Sequence, residues 1–425
     1  MHSRTLGLAL FFAALPLFSE NWPTWRGPRL DGTSKETGLP VSWDKTKNVA
    51  WMLPLPEVSG SSPIVWENRV FLHVSEGGRM YLWSIDRDKG SVLWKQLIAG
   101  GDHKVRKGNM SSPSPVTDGK TVWVLTGTGV VKAFDFSGKE LWMRDLQADV
   151  VKFGLNHGYG SSPLLFRDGL YIQILHGMHT DDPSYVVRLD AKTGRTVWKV
   201  ERPTDAVQES PDSYTTPAIA YNKEGKAQLI VTGGDYVTGH DLNTGKELWR
   251  GGGMNPRGNP FNRIIASALV LDDLVFVPTR VNPMQTFRTF GSGDISKSQL
   301  VWATPNGPDV PTPVTDGKLL YMINDRGIVY VFDARTGKEI YGGQRIAPAT
   351  YSSSPVLADG KLYMSNEEGT TVVLKAGPSF EVLSENKFDE YTLASPAVSD
   401  GQIFLRTTSA LYCVGKRNSA GVASR

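Results

Sequence analysis

Residues 352–377 read SSSPVLADGKLYMSNEEGTTVVLKAG, and this stretch decides the fold. Pro355 to Leu357 is a short apolar strand, and Asp359-Gly360 is a turn pair that favours positive φ, the signal for a tight hairpin. Lys361 to Met364 then alternates polar and apolar, as a half-buried strand does. Asn366 to Gly369 turns the chain into Thr371 to Leu374, a third strand rich in β-branched residues. The unit before it shows the fourth strand: DARTGKEIY, residues 333–341, turns at Thr336-Gly337 into Lys338 to Tyr341. The opening of the unit recurs at Ser61, Ser114, Ser161, Thr215, Ala266, Thr312, Ser353 and Ala394. A repeat of about fifty residues with four strand-sized pieces predicts an all-β, eight-bladed β-propeller of four-stranded antiparallel blades.

The fourth piece keeps a strict spacing. Asp lies eight residues before the terminal aromatic in Asp86/Trp94, Asp190/Trp198, Asp241/Trp249, Asp294/Trp302 and Asp333/Tyr341, and seven before it in Asp135/Trp142. The Asp is expected to bond amides of the turn, Gly to take the left-handed position, and the aromatic to pack on the neighbouring blade. TGK at 244–246 and 336–338 lacks the GxxxxGK[ST] pattern and sits in a β-turn, so it is read as structural. The last repeat stops after three strands, around Ala397, Ile403 to Arg406 and Ala410 to Val414. Its missing strand is found in NVAWMLPLP, so Trp51 is expected to join those strands and close the ring, which leaves no open sheet edge. The expected organisation is a propeller over residues 48–415, preceded by a leader over 20–47 and followed by a tail over 416–425.

The first residues, MHSRTLGLALFFAALPLFSEN, have a basic Arg4 and an apolar run from Thr5 to Phe18, so residues 1–19 are read as a secretory signal and the protein as periplasmic or secreted. Lys+Arg 46 against Asp+Glu 43 leaves no basic footprint for nucleic acid. With Cys413 as the single cysteine, no internal disulfide forms and packing alone holds the core. No later stretch approaches a membrane span, and a monomer is expected. In the leader, Trp22, Trp25 and Arg26 are expected to clasp the outside of the propeller; the competing reading is an exposed docking segment.

The DxxTGKxxW units resemble the repeats of the pyrroloquinoline-quinone (PQQ) propeller family, over about Trp43 to Gly415, and WPTWRGPRLDGTS at 22–34 resembles the start of many exported proteins of that kind. The resemblance implies one of two branches. Quinoprotein dehydrogenases oxidise alcohols or sugars with PQQ and calcium; BamB-like proteins are non-catalytic scaffolds of outer-membrane barrel assembly. The chain departs from the first in having one cysteine, where those enzymes carry an adjacent pair, and in its short connections. It departs from the second in lacking a cysteine for a lipid anchor.

The loops leading into the innermost strands should ring one mouth of the channel. They offer Asn109, His157, Tyr159, Tyr214, Asn262, Arg263, Tyr351 and Tyr391 as candidate ligand-binding residues, beside Asn156 and Asp212. Loops between second and third strands add His176, His179, Arg280, Asp325 and Glu367, among others, on the same face. His157, His176 and His179 could suggest a metal, but H-x-x-H on a loop lacks a fourth ligand, and no metal is assigned. No nucleophile-elbow or phosphate-loop signature is present, so no catalytic residue is assigned. Trp51, Trp94, Trp142, Trp198, Trp249, Trp302 and Tyr341 are assigned to blade docking. The expectation is an exported, non-catalytic module binding a protein or small-molecule partner at the channel mouth, with no firm cofactor. The alternative is a PQQ- and calcium-dependent oxidoreductase acting on alcohols or sugars.

Overall fold

The computed structural model describes residues 20–279 and 283–416. The expected signal sequence, the tail beyond Lys416 and Arg280 lie outside the described residues. Eight antiparallel sheets follow one another along the chain, each with four main strands. Blade 1 is built from Ile64–Trp66, Arg69–Glu76, Arg79–Asp86 and Val92–Gly100, and blades 2 to 7 repeat that order over 116–145, 164–201, 218–251, 269–304, 314–345 and 356–387. Blade 8 takes Ala397–Ser399, Gln402–Arg406 and Ala410–Val414 from the C-terminal end and Val49–Pro54 from the N-terminal end. Trp51 pairs with Cys413 and Pro54 with Ala410, so the ring closes as the orphan strand requires. The only helix among the described residues is the single turn Leu146–Asp149, capped by the Asp145 carboxylate.

The hairpins follow their turn chemistry. Asp359 and Gly360 both have positive φ (52° and 66°), the geometry that lets Ala358 face Lys361 across a two-residue loop. Apolar side chains gather between neighbouring blades. Val116 and Val131 of blade 2 pack with Leu170 and Val187 of blade 3, and blades 7, 8 and 1 share one cluster that also takes Trp22, Leu39 and Trp43 of the leader.

The outer strands lock each blade to the next. Asp86 Oδ1 accepts the amides of Asp88 and Lys89, which curls the turn so that the Arg87 carbonyl faces blade 8, where Trp51 Nε1 donates to it at 2.6 Å. The same bond runs from Trp94 to Phe136, Trp142 to Ala191, Trp198 to Leu242 and Trp302 to Ala334. In each case the acceptor is the residue after the turn Asp. The turn glycine lies flat on the indole: a Cβ on Gly90 would sit 2.5 Å from Trp51, and one on Gly194 2.6 Å from Trp142.

Two outer aromatics depart from this pattern. Trp249 donates to Gln228 Oε1 and covers Gly239, both in its own blade 4. The reason lies in blade 5, where Asp294 is part of Gly293–Asp294, a two-residue strand that pairs in parallel with Trp249 and Arg250. The turn of blade 5 therefore starts one residue later, with Gln299 N bonded to Ile295 O, and has no glycine for an indole to lie on, so the Asp294/Trp302 spacing does not mark the same structure as the others. Tyr341 rests edge-on against Phe380, with ring centroids 6.1 Å apart.

Candidate binding well at the channel mouth

Each innermost strand begins at a Ser or Thr, in most blades followed by Pro. Proline has no N–H to offer, so the residue before it supplies the donor that ties the blades around the channel. Ser62 N donates to Ser114 Oγ and Ser114 N to Ser162 Oγ, both at 2.9 Å. Thr216, Ser267, Thr312 and Ser354 continue the series to Ser395, and Ser395 N returns to Ser62 Oγ at 2.9 Å. The eighth hydroxyl, Thr216 Oγ1, accepts instead from Trp25 Nε1 at 3.0 Å. All eight hydroxyl residues line a central cavity of about 410 Å³.

Trp25 closes one end of that cavity. The leader is held beneath it by Trp22, which bridges Val65 of blade 1, and by Pro23, whose carbonyl accepts Thr117 N of blade 2. Arg26 is buried and forks to the carbonyls of Pro313 and Pro355, in blades 6 and 7, and of Asp31. Burial lowers its pKa to about 10, so the guanidinium stays charged at neutral pH. Its Cζ lies 5.4 Å from the Trp25 ring centroid. The aromatic–cation clasp exists, but it crosses the end of the channel. Neither an outside clasp nor an exposed docking segment describes it.

The other end is a charged mouth. Glu209, buried, places Oε1 3.2 Å from His157 Nε2 and 3.4 Å from Arg263 Nε. Burial lowers the His157 pKa and the Arg263 charge lowers it further, while Glu209 opposes both. Asp309 is pushed up to about 6 by burial, which Arg263 opposes and Asp325 reinforces. Asp212 is also pushed up to about 6 by burial although it accepts the amides of Asn156, Gly177 and Met178. Over this mouth reaches a hairpin whose base is fixed by Asp102, which accepts from Asn109 Nδ2 and Met110 N. Its tip carries Lys107, whose Nζ lies 2.5 Å from Glu367 Oε1 of blade 7. The hairpin starts between blades 1 and 2, so that ion pair straps it across the mouth.

Of the candidates read from sequence, Asn109, His157, Tyr159, Tyr214, Arg263 and Asp325 line the cavity. Two of these already spend their polar groups: the Asn109 amide donates to Val58 O, Ser75 Oγ and Asp102 Oδ2, and Tyr159 Oη donates to Gln173 O. Asn262, Tyr351 and Tyr391 do not line it. Asn262 is buried against Asp235, and Tyr351 is buried with its hydroxyl on Ala347 O. Tyr391 is 38% exposed, outside the well. His176 has both ring nitrogens engaged, with Gly154 N and Pro183 O. Arg106, Lys107, Glu209 and Asp309 carry no mark in the sequence that sets them apart, and Trp25, expected on the outside of the propeller, lines the cavity. Sequence reading used the Ser/Thr-Pro starts as strand markers only, although their eightfold repetition next to a channel axis was the available signal.

A calcium-held quinone needs several oxygen ligands converging on one metal. Among the described residues no three His, Cys, Asp or Glu side chains gather to hold an ion. The aromatic at the floor, Trp25, is tied by its Nε1 to the ring of hydroxyls. Of the ligand types that calcium takes, the cavity offers the side chains of Asp309, Asp325 and Asn109.

Fold and well together define an eight-bladed propeller with a channel blocked at one end and a charged mouth at the other. A family model described as outer membrane protein assembly factor BamB matches residues 81–341. The chain belongs to this family of PQQ-like propellers. It is 24% identical over 313 residues to the outer membrane protein assembly factor BamB of Shewanella oneidensis, covering 72% of this chain and 69% of that one. It is 24% identical over 265 residues to a quinohemoprotein alcohol dehydrogenase of Pseudomonas putida, covering 59% of this chain but only 30% of the dehydrogenase. Among solved structures, a europium-containing methanol dehydrogenase superposes with a TM-score of 0.72 at 12% identity, over 93% of this chain and 98% of that one. At that identity the likeness is one of fold.

Proposed function

We propose that the protein is an exported, non-catalytic propeller that binds a protein or small-molecule partner at the charged mouth of its channel. The observation that carries this reading is the paired mouth itself. His157, Glu209 and Arg263 hold one another, and Lys107 reaches across to Glu367, so these side chains are set as a recognition surface rather than as an acid, a base and a nucleophile in line. Similarity to the assembly factor BamB supports a protein partner. No helix of the described residues is long and apolar enough to cross a membrane. The test is a capture experiment from envelope extract with the wild type and with Arg263→Ala. A partner retained by the wild type and lost by the variant supports the reading. The same protein is titrated with PQQ and calcium and assayed with an artificial electron acceptor over alcohols and sugars; saturable binding with dye reduction overturns it in favour of an oxidoreductase.

A further inference from the structure

The mouth matches most of its own charges. Lys107 faces Glu367, and Glu209 faces both His157 and Arg263. Three charged groups on the same cavity have no ion-pair partner among the described residues: Arg106, Asp309 and Asp325, whose Oδ1 accepts the Asp309 amide at 3.4 Å. Arg106, at the tip of the strapping hairpin, lines the wall with no hydrogen bond or ion pair among the described residues. Asp309 also lines it, and its Oδ1 is buried without a hydrogen-bond partner. The hairpin springs from the junction of blades 1 and 2 and its tip reaches blade 7 through Lys107, while Asp309 lies between blades 5 and 6. Below them the hydroxyls around the channel each accept one N–H and keep a proton to donate. A buried carboxylate oxygen with no donor is costly, and a cation brought by a ligand relieves that cost.

We propose that the well binds a small zwitterion of the amino-acid or dipeptide class, with its carboxylate on Arg106 and its ammonium group on Asp309. This rests on the reading of the channel mouth as a binding face. The cavity, about 410 Å³, admits a ligand of that size, and its closed floor means that the ligand enters past the hairpin. A dicarboxylate would meet Asp309 unfavourably, and a diamine would do the same with Arg106.

The experiment is isothermal titration of the whole mature protein with L-alanyl-L-alanine, its N-acetylated form and its C-amidated form. The dipeptide binds saturably, and blocking either charge weakens binding about tenfold, the loss of one charge-assisted contact. Arg106→Ala weakens the dipeptide by a similar factor and leaves the amidated form unchanged. Asp309→Asn does the mirror image: the dipeptide weakens and the acetylated form does not. Arg106 is exposed, so its variant keeps the fold, which circular dichroism checks. Absence of binding at millimolar dipeptide, equal binding of the capped forms, or an equal loss of all three ligands in Arg106→Ala each overturns the proposal. Capture of an envelope partner that is lost in Arg263→Ala, with no dipeptide binding, also overturns it while leaving the broader reading intact.

Discussion

Trp25 Nε1 donates to Thr216 Oγ1 at 3.0 Å, and so an indole from the leader takes the place that a backbone N–H holds at the other hydroxyls of the inner ring. The leader is thereby part of the ring as well as its floor. Trp25→Phe keeps the ring plane and loses the donor, at a cost of about 1 kcal/mol; Trp25→Ala removes the floor and costs about 3 kcal/mol. Urea midpoints measure both. Equal and negligible losses would show that the leader merely rests on the channel.

The contact between Gly90 and Trp51 makes the closure of the ring testable. Gly90 has φ +70° and lies against the indole, whereas Gly77 has φ +61° with nothing within 4 Å of where a Cβ would stand. Gly77→Ala should lose only the left-handed preference, about 1 kcal/mol. Gly90→Ala should add about 1–3 kcal/mol of overpacking, because Trp51 is held by its bond to Arg87 O and by blade 8 behind it. Chemical denaturation of the two variants gives the difference. Equal losses would mean that the indole yields freely and is not a lock.

The repeat was legible because its signals are local. Asp359-Gly360 declares a hairpin within two residues, and Asp86 and Trp94 declare an outer strand by spacing. The orphan strand at Trp51 was legible by subtraction, since a ring tolerates no missing strand. Trp249 shares an apolar cluster with Val275 and Phe287 of blade 5, but its hydrogen bond departs from the pattern for the opposite reason: blade 5 inserts a parallel segment at Gly293–Asp294, and an aromatic's partner in another blade leaves no mark on its own sequence. The mouth was half legible for the same reason. His157 and Arg263 stand near strand starts, but Glu209 meets them only once three loops converge. Lys107 reaches Glu367 from 260 positions away.

That long-range ion pair is expected to govern access more than stability. Lys107 and Glu367 have side chains 44% and 12% exposed, a setting in which such pairs contribute about 0–1 kcal/mol. Lys107→Ala should therefore leave the denaturation midpoint nearly unchanged while releasing the hairpin. Hydrogen exchange at Val105, whose amide bonds to Gly108 O within the hairpin, should quicken in the variant and, for the wild type, in high salt. Unchanged exchange under both conditions would show that the hairpin is held by its base at Asp102 and Asn109.

Asp309 gives a pH signature with a definite sign. Burial raises its folded pKa to about 6 from the ordinary aspartate value of 3.8. The charged form is therefore disfavoured by folding, a cost fully present above the folded pKa and absent below 3.8, where both states are protonated. Asp309→Asn removes that cost. The variant should be more stable than the wild type by about 1–3 kcal/mol near pH 7, and the advantage should shrink as pH falls through 6 and vanish by about pH 4. Thermal denaturation across that range reads the effect directly. A carboxylate kept at a cost to stability, in a wall where asparagine would fold better, is what a binding role for Asp309 requires. A variant that is less stable at every pH would instead make Asp309 a structural residue of the blade 5–6 connection.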